Sequence, residues 1–552
     1  MCVAHPRALA ETIAGLVVSH LSSLGHEVSI ASSDVALERP RSRDHGDWAT
    51  SVAMKFAKTV GTNPRELAQA LATALLEQPG IAAAEVAGPG FINITLDAAA
   101  AGALVVTIVE SGSAYGSSTE LDGQIINVEF VSANPTGPLH IGHTRWAALG
   151  DSLVRVLRKA GASVTSEFYI NDAGAQMDLF GQSVHASAHG NPPPEGGYQG
   201  DYIGELAQRV LANDPDVLEQ GGPEQVREAA YQLQLGDIKK SLADFNVDFD
   251  VWFSERELHS SVANKPSPID DSVDRLRATG HVFEEEGAVW VRTTDFGDDK
   301  DRVIRRANGV YTYFAADAAY YLSKTDRGFV KKIYLLGADH HGYVHRLKAL
   351  AGAAGEDPDF NVEVLIGQLV SINGAKLSKR AGNIIELDDL RNWLGTDALR
   401  YSLARYPADS PLTLDSDILT KRTNDNPVFY VQYAHARTHQ VARNAQASGV
   451  TRDVCDPSLL THDTESSLIA SLGDFPRVVT QAAELREPHR VARYLEEVAG
   501  VYHRWYDACR VTPQGDNPLE PVHHTRLWLN DATGQVLRNG LDLLGVSAPE
   551  RM

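Results

Sequence analysis

The sequence predicts an α/β protein in which a doubly wound parallel sheet is preceded by a small α+β domain and followed by an all-helical domain. Three observations support this fold class. Short β-branched stretches alternate with helical stretches between residues 119 and 395. A mixed helix and strand pattern precedes them, and helical periodicity follows them. The 552 residues are also too many for one core, which favours three domains.

The first predicted domain covers residues 1–118. Apolar residues recur at helical spacing between Leu9 and Leu21. Asn63-Pro64 is typical of a helix start, because an Asn cap precedes proline at the first helical position. Residues 91–96 alternate in polarity after a Gly-Pro-Gly turn, which predicts a strand. Helices and at least one strand are therefore expected here.

The second predicted domain covers residues 119–395. Four apolar, β-branched stretches are predicted as parallel strands because helical patterns separate them. These strands cover residues 125–131, 164–169, 333–336 and 362–366. A Pro/Gly-rich stretch marks a loop at 191–197, and residues 180–300 are predicted as an insertion between the two halves of the sheet.

The third predicted domain covers residues 396–552 and is expected to be all helical. Residues 397–401 open one predicted helix. An apolar stripe from Val491 to Trp505 repeats at helical spacing. We interpret this stripe as the core of a helix bundle, because such stripes usually pack against other helices.

The composition is that of a soluble globular protein, with 43% hydrophobic and 22% charged residues. No apolar stretch reaches the roughly 20 residues that span a bilayer, and the first residues lack a signal-peptide layout. We therefore expect a cytoplasmic protein with no membrane partner. The net charge of −22 counts against a nucleic-acid partner, but local basic clusters such as 302–306 and 376–380 can still bind RNA. We expect no DNA partner.

Neither cysteine nor histidine spacing predicts a metal site. Cys2, Cys455 and Cys509 are far apart and form no CxxC pair. His341 and His345 are spaced as i and i+4, but the residues between them lack the glutamate of an HExxH site. We therefore expect no structural metal.

The main functional signal is a turn with two histidines between the first predicted parallel strand and a helix. Residues 132–143 read Ser-Ala-Asn-Pro-Thr-Gly-Pro-Leu-His-Ile-Gly-His. A helix start presents unpaired N–H groups and the positive end of the helix dipole, so it attracts anions, and two imidazoles can donate to phosphates. The pattern resembles the HIGH motif of class I aminoacyl-tRNA synthetases. This resemblance implies ATP-binding roles for Pro135, Gly137, His140, Gly142 and His143.

A second motif, Lys-Leu-Ser-Lys-Arg, follows at residues 376–380. Two lysines beside a triphosphate can offset the charge that builds on leaving pyrophosphate. Taken alone, the stretch is typical of a solvated basic turn. After the histidine motif it resembles the KMSKS loop of the same class, with Leu377 in place of Met, a swap that should not remove activity. The resemblance implies that both histidines, Lys376 and Lys379 are catalytic and that Ser378 also contacts ATP.

Further segments resemble arginyl-tRNA synthetases of the bacterial type along nearly the whole chain. They cover residues 44–50, 88–93, 129–137, 169–174, 198–202, 309–313, 337–342, 397–400, 426–437 and 543–552. Their order favours this family over other synthetases. The resemblance implies a Rossmann-like catalytic domain between an N-terminal domain that contacts tRNA and a helical anticodon-binding domain of the DALR type.

The family pattern places the arginine substrate at Glu129, Asn134, Tyr313, Asp317 and His341. A guanidinium is a planar fork of donors that prefers carboxylates in a bidentate arrangement. Without the family, Glu129 is an inward carboxylate with no assigned purpose, and Asp317 is interpreted as a helix N-cap.

The implied reaction consumes ATP with Mg²⁺, L-arginine and tRNA(Arg). Arginine is first joined to AMP and then moved to the 3′ end of the tRNA, and bound tRNA is expected to be needed for the first step. Asp339 would lie beside the nucleotide, and Mg²⁺ would accompany the ATP phosphates. The helical domain would read the anticodon through Tyr430, Tyr433 and Arg437, although bundle core is an equal interpretation of these aromatic residues. We expect a monomer.

Three other hypotheses stay open from the sequence. A class I synthetase for another amino acid would not use Glu129 and Asp317 together. An RNA-binding protein with an inactive core would be expected to have lost one of the four catalytic residues, which are all present. A nucleotidyltransferase with a HIGH-type site would be short and would lack the helical C-terminal domain.

Overall fold

The computed structural model of the chain describes residues 6–40, 45–220, 222–261, 266–373 and 385–552. The lysine motif at 376–380 lies outside these residues, as does Cys2. Among the described residues, none of the helices combines the length and the apolar character needed to cross a bilayer.

The N-terminal part combines helices with one small sheet. Its elements are α1 (Pro6–Ser23), β1 (Leu37–Glu38), β2 (Trp48–Thr50), α2 (Val52–Val60), α3 (Pro64–Leu76), β3 (Ile81–Ala87), β4 (Phe91–Leu96) and α4 (Ala98–Ser111). The strand order is β1-β2-β4-β3, with antiparallel neighbours. Asn63 caps α3 as predicted, because its side chain accepts the Arg65 N–H at 2.9 Å.

The central part alternates strands with helices. Its elements are β5 (Ile125–Glu129), α5 (Ile141–Lys159), β6 (Ser163–Ile170), α6 (Ala175–Ala188), α7 (Asp201–Asn213), α8 (Val217–Gln220), α9 (Pro223–Asp244), β7 (Val251–Ser254), α10 (Arg256–His259), α11 (Pro268–Ala278), β8 (Val282–Glu285), β9 (Ala288–Val291), β10 (Arg302–Arg305), α12 (Tyr313–Asp326), β11 (Lys331–Gly337), α13 (Tyr343–Ala353), α14 (Pro358–Asn361), β12 (Val362–Gly367) and β13 (Val370–Asn373).

Five of these strands form one parallel sheet with the order β12-β11-β5-β6-β7. Four of them are the predicted strands, so the predicted α/β fold class is confirmed. The fifth, β7, is one that sequence reasoning missed. The antiparallel strands β8, β9 and β10 form a separate sheet. Because the parallel strands all run the same way, the residues that follow β5, β6 and β7 gather at one edge of the sheet.

The C-terminal part is a helix bundle. Its elements are α15 (Leu387–Leu394), α16 (Thr396–Ala404), β14 (Leu412–Asp415), α17 (Ser416–Leu419), α18 (Pro427–Ala447), α19 (Asp463–Gly473), α20 (Phe475–Glu484), α21 (His489–Ala508) and α22 (Pro521–Leu543). The apolar stripe of α21 is buried in the bundle, as predicted, with Tyr502 and Trp505 fully enclosed. Helix α4 packs against α19 and α22, which ties the N-terminal part to this bundle.

One strand contradicts the prediction that the chain is all helical beyond residue 396. Strand β14 pairs in parallel with β13 of the central part. Its side chains alternate, with Leu412 and Leu414 buried and Thr413 exposed. This two-residue period is a strand signal that the surrounding helical pattern masked.

Two buried arginines connect α5 to distant parts of the chain through hydrogen bonds and an ion pair. Arg145 donates to the carbonyls of Gln368 and Pro407, each at 2.8 Å. Arg400, on α16, donates to the Leu544 carbonyl at 3.0 Å and pairs with Asp151 of α5. Helix α5 begins at the histidine motif, so these contacts hold that motif against the C-terminal bundle.

Candidate active site

The backbone turns sharply between β5 and the histidine motif. Val131 and Ser132 have φ angles of +67° and +42°, a left-handed conformation that residues other than glycine rarely adopt. The Ser132 hydroxyl donates to Glu129 Oε1 at 3.2 Å and accepts the Tyr169 N–H at 3.2 Å. The predicted strand therefore ends two residues early, and the turn fixes a serine between two strand ends.

His140 and His143 form the start of α5. His140 Nδ1 accepts the Gly142 N–H at 3.1 Å, and His143 Nδ1 accepts the His140 N–H at 3.3 Å. The two rings stack with their centroids 3.9 Å apart. A Cβ on Gly142 would lie 2.9 Å from His140 Cε1, so this cap requires glycine between the histidines.

Both imidazoles are held in one tautomer. Because Nδ1 of each ring accepts a backbone N–H, the neutral ring carries its proton on Nε2. Burial lowers the pKa of His140, and burial together with the neighbouring His140 lowers the pKa of His143 to about 4. At neutral pH the helix start therefore offers uncharged N–H donors beside the positive end of the helix dipole, a combination that suits phosphate oxygens.

The segment that follows the lysine motif is paired with the histidine motif. The Ile141 N–H donates to the Ile385 carbonyl at 3.0 Å, and the Leu387 N–H donates to the Leu139 carbonyl at 2.7 Å. Four of the predicted ATP contacts are not described by the structure and stay predictions. They are Lys376, Ser378, Lys379 and the side chain of Asp339.

Tyr202 covers the loop that leads into α5. Its hydroxyl donates to the Thr136 carbonyl at 3.0 Å and lies 3.4 Å from where a Cβ on Gly137 would stand. Pro135, before them, is buried. The predicted ATP contacts at Pro135 and Gly137 are therefore part of a loop that is closed on one side by a tyrosine.

Two carboxylates, one buried and one half-buried, lie near the strand ends. Glu255 follows β7 directly and is 8% exposed, and Asp317 lies on α12. Among the described residues, neither has a Lys or Arg nitrogen within 4 Å; Glu255 lies 3.7 Å from His259 Nε2, a partner that is charged only when protonated.

Burial is the main cause of the raised pKa of both carboxyl groups. It raises the pKa of Glu255 to about 7, with help from the charge of Asp172. It raises the pKa of Asp317 to about 6, although a hydrogen bond with Tyr343 opposes the shift. The charges of Glu255 and Glu129 add to the raised pKa of Asp317, whereas the charge of Arg346 lowers it. A cation bound beside Asp317 would favour the ionised form of its carboxyl group.

Glu129 differs from these two because a buried lysine already neutralises it. Lys324 Nζ, on α12, has a fully buried side chain and lies 2.6 Å from Glu129 Oε2. The same ammonium lies over the rings of Tyr320 and Tyr334, at 4.4 and 4.1 Å from their centroids. The charge of Glu129 also acts on Asp317. A shared role of these two carboxylates in binding arginine stays a prediction.

The other predicted arginine contacts are open to solvent. Asn134 and His341 are exposed. Tyr313 is 83% exposed at the start of α12, one turn before Asp317. The interpretation of Asp317 as a helix N-cap is wrong, because Thr312 holds that position and Asp317 lies in the second turn.

Sequence reasoning missed Glu255 and Lys324. Glu255 follows a short strand, Val251–Ser254, whose apolar residues could have been recognised as a fifth parallel strand. The first polar residues after such a strand are the ones expected at a site. Lys324 has a weaker signal, since it lies seven residues after Asp317 and so two turns further along one face of α12.

The predicted tRNA contacts form one cluster in the bundle. Arg437 donates to Tyr433 Oη at 2.6 Å, and its guanidinium lies 4.6 Å from the centroid of that ring. His503, on α21, stands 5.1 Å from the Tyr430 ring, and burial and the charge of Arg437 lower its pKa to about 4. Tyr430, Tyr433 and Arg437 are all partly exposed, and Tyr430 also packs against the bundle core. Their contact with tRNA stays a prediction.

Family models match most of the chain. The model described as tRNA synthetases class I (R), catalytic domain, matches residues 105–191 and 205–401. The arginyl tRNA synthetase N terminal domain matches residues 7–96, and the DALR anticodon binding domain matches residues 431–552. The matches follow one another in the order that the sequence predicts.

Individual relatives match over nearly full length. The arginine–tRNA ligase of Pseudarthrobacter chlorophenolicus is 64% identical over 95% of this chain and 96% of its own. That of Renibacterium salmoninarum is 66% identical over 94% of both chains. The fold is similar to that of Thermus thermophilus arginyl-tRNA synthetase, with a TM-score of 0.73 at 22% identity over 99% of this chain and 100% of that one. This chain therefore belongs to the arginyl-tRNA synthetase family.

Proposed function

We propose that this chain joins arginine to tRNA(Arg) in two steps, as a cytoplasmic monomer. In the first step a carboxylate oxygen of arginine bonds to the α-phosphorus of ATP, and the bond to pyrophosphate breaks. In the second step a ribose hydroxyl at the tRNA 3′ end attacks the carbonyl carbon of arginyl-adenylate, and AMP leaves. One observation carries the proposal: a neutral histidine pair at a helix start lies at the same sheet edge as two carboxylates that lack a Lys or Arg partner among the described residues.

The histidine end would hold the nucleotide. His140 and His143 would donate from Nε2 to the phosphate oxygens, and Pro135, Gly137 and Gly142 would let the backbone approach closely. No covalent intermediate with the protein is needed, so catalysis consists of positioning and charge stabilisation. The remaining charge would come from the side chains that the family pattern implies, namely Asp339, Lys376, Ser378 and Lys379.

Mg²⁺ fits this end of the site as part of the ATP complex. The ion prefers oxygen ligands and keeps several waters. The two histidines present Nε2–H donors to the site. A nitrogen that carries its proton cannot ligate a cation. The phosphate oxygens and water would therefore hold Mg²⁺, which would neutralise part of the triphosphate charge while His140 and His143 orient it.

The carboxylate end would hold the amino acid. Asp317 and Glu255 would receive the guanidinium, which needs two acceptors in a plane. Citrulline, an uncharged isostere, would leave both carboxylates without a cation and so would bind weakly. Asn134, Tyr313 and His341 would complete the pocket from its exposed side.

The cluster on α18 and α21 would contact the tRNA. Tyr430 and Tyr433 offer partly exposed rings for base stacking, and Arg437 adds a positive charge beside them. Tyr433→Ala is expected to raise the KM for tRNA about tenfold and to leave the KM for arginine unchanged, because stacking on one base contributes about 1–3 kcal/mol. Equal changes in both constants would instead indicate a damaged fold.

The function is tested by ATP–pyrophosphate exchange with each of the twenty amino acids, with and without total bacterial tRNA. Exchange with arginine alone supports the proposal, and dependence on tRNA would add the coupling that the family pattern implies. Exchange with another amino acid would overturn the assignment of the carboxylate end. No exchange from folded protein would favour an RNA-binding protein with an inactive core.

A further inference from the structure

The loop that leads into the histidine motif has few hydrogen bonds. Residues 135–138 read Pro-Thr-Gly-Pro, and a proline has no backbone N–H to donate. Within the described part of the chain, no hydrogen bond joins these four residues to one another. Among the described residues, the bond from the Tyr202 hydroxyl to the Thr136 carbonyl, at 3.0 Å, is the one that joins this loop to another element. The position of the loop therefore depends on a side chain from α7.

Tyr202 belongs to the segment Tyr-Gln-Gly-Asp-Tyr at residues 198–202, which runs into the start of α7. The first tyrosine of the segment is fixed to α6, because the Tyr198 N–H donates to Ser183 Oγ at 2.9 Å. Gly200 turns the chain with a φ of +127°, and a Cβ there would lie 3.2 Å from Tyr202 Cδ1. The glycine therefore lets the second tyrosine extend from an anchored segment to the loop.

The two tyrosines of this segment differ in what their hydroxyls contact. Burial raises the pKa of Tyr202 to about 12, so its hydroxyl keeps its proton and remains a donor at neutral pH. The same oxygen lies 3.4 Å from where a Cβ on Gly137 would stand, so it contacts the loop at two consecutive residues. The Tyr198 hydroxyl makes no hydrogen bond with any residue that the structure describes.

A shift of this loop would be felt at the histidine motif. Thr136 lies four residues before His140, where α5 begins. Beyond the loop, the chain is fixed again, because the Leu139 carbonyl accepts the Leu387 N–H at 2.7 Å. A misplacement of about 1 Å at a reacting group can cost a hundredfold in rate. A bond that holds the loop would therefore act on the nucleotide end of the site and not on the carboxylate end.

We propose that Tyr202 is a positioning residue for the first step of the reaction: its hydroxyl holds residues 135–138 where this loop and the two histidines bind ATP. This inference rests on the proposed function. It gives the segment 198–202 a role in the reaction, which Tyr202 exerts through its contact with the loop.

The chain contains two matched controls. Tyr115, in the segment between α4 and β5, donates from its hydroxyl to the Leu472 carbonyl at 3.0 Å, a bond of the same kind and length in another part of the fold. Tyr198 belongs to the same segment as Tyr202, but its ring and backbone anchor the segment without a bond from the hydroxyl to a described residue. Tyr115→Phe and Tyr198→Phe therefore remove a tyrosine hydroxyl without altering the loop.

The kinetic test compares these two variants with Tyr202→Phe in arginine-dependent ATP–pyrophosphate exchange. Tyr202→Phe keeps the ring, and a melting temperature close to that of wild type would show that the variant is folded. We expect its KM for ATP to rise about fivefold, since one hydrogen bond of ordinary strength changes an equilibrium by roughly two- to tenfold. The KM for arginine should not change. Both control variants should keep the wild-type KM for ATP.

Amide hydrogen exchange tests the positioning directly and without substrates. The Gly142 N–H donates to His140 Nδ1 at 3.1 Å, and the Thr144 N–H donates to the His140 carbonyl at 3.2 Å, so both amides report on opening of the helix start. They should exchange faster in Tyr202→Phe than in wild type and in both controls.

Three results would overturn the proposal. One is an unchanged KM for ATP in folded Tyr202→Phe. Another is a raised KM for ATP without faster amide exchange, because the hydroxyl would then act on ATP in some other way than by holding the loop. The third is an equal rise in the KM for arginine or in the control variants. Wild-type protein without arginine-dependent pyrophosphate exchange would instead contradict the proposed function, so the two failures are distinguishable.

Discussion

The two ends of the site contain titratable groups that burial shifts in opposite directions. At the histidine end the pKa of His143 is lowered to about 4, whereas at the carboxylate end the pKa of Glu255 is raised to about 7. Both shifts favour the uncharged form. In the proposed function the two ends have different requirements. Neutral imidazoles can donate from Nε2 over a wide pH range, whereas the carboxylates would have to ionise when arginine binds.

Removing the donor at the histidine end should have the largest effect. Asn at position 143 can keep the acceptor that His143 Nδ1 provides to the His140 N–H, but it has no group at the Nε2 position. We expect His143→Asn to lower kcat about 10²–10³-fold, because one lost donor to a developing charge costs this much. Steady-state kinetics of ATP–pyrophosphate exchange measures it.

Gln at position 143 provides the complementary control. It can place an amide N–H near the former Nε2 but loses the acceptor for the His140 backbone. His143→Gln should therefore retain more activity than His143→Asn. If Asn is the better replacement, the histidine acts through the helix cap and not through its donor.

Neutralising one carboxylate should have the next largest effect. Asp317→Asn removes an ionic acceptor, and hydrogen bonds to charged groups contribute about 1.5–3 kcal/mol, so the arginine KM should rise roughly 10- to 100-fold with little change in the KM for ATP.

Asp326→Asn on the same helix is the matched control for this variant. Asp326 is 58% exposed and pairs with Arg275 at 2.8 Å, away from the pocket. Asp326→Asn should leave the KM for arginine and the KM for ATP unchanged. An equal rise in both KM values for Asp317→Asn would indicate that the carboxylate supports the whole site.

The effect of pH on the KM for arginine should be smaller than the effects of His143→Asn and Asp317→Asn. Between pH 8 and pH 6 the Glu255 carboxyl, with a pKa of about 7, takes up a proton, and Asp317 follows near 6. Protonated carboxyls do not attract a guanidinium, so the arginine KM should rise about tenfold over this interval. Glu255→Gln should start from a higher KM and show a flatter profile; an unchanged profile would exclude Glu255 as the titrating group.

The smallest expected effect is on stability in acid. The unfolded chain protonates His143 near pH 6.5, whereas the folded chain does so only near pH 4, so this residue lowers stability as the pH falls between these values. Asp317 and Glu255 act the other way, because the folded chain binds their protons at higher pH than the unfolded chain. Melting curves of His143→Gln should therefore decline less than wild type between pH 6.5 and 4.5. A steeper decline would contradict the low pKa.

Much of this site could be predicted from local sequence. The helix start at His140 follows from a turn, two histidines and an apolar helix, all within about thirty residues. The four predicted strands were recognised for the same reason. Glu255 is harder to place, because the strand before it is only four residues long and about eighty residues separate it from β6 in the chain. For Lys324 the spacing from Asp317 is a weak signal, since only the fold brings it to Glu129.

The left-handed turn at Val131 and Ser132 limits how this protein can be made more heat resistant. A side chain in this conformation costs about 1–2 kcal/mol relative to a right-handed one, so glycine at position 131 would relieve the strain. Val131 also packs against the core, and glycine loses more backbone entropy on folding, so the same change would give up much of that gain. Replacement by glycine, the usual way to relieve a strained turn, is therefore a poor route to heat resistance at this position.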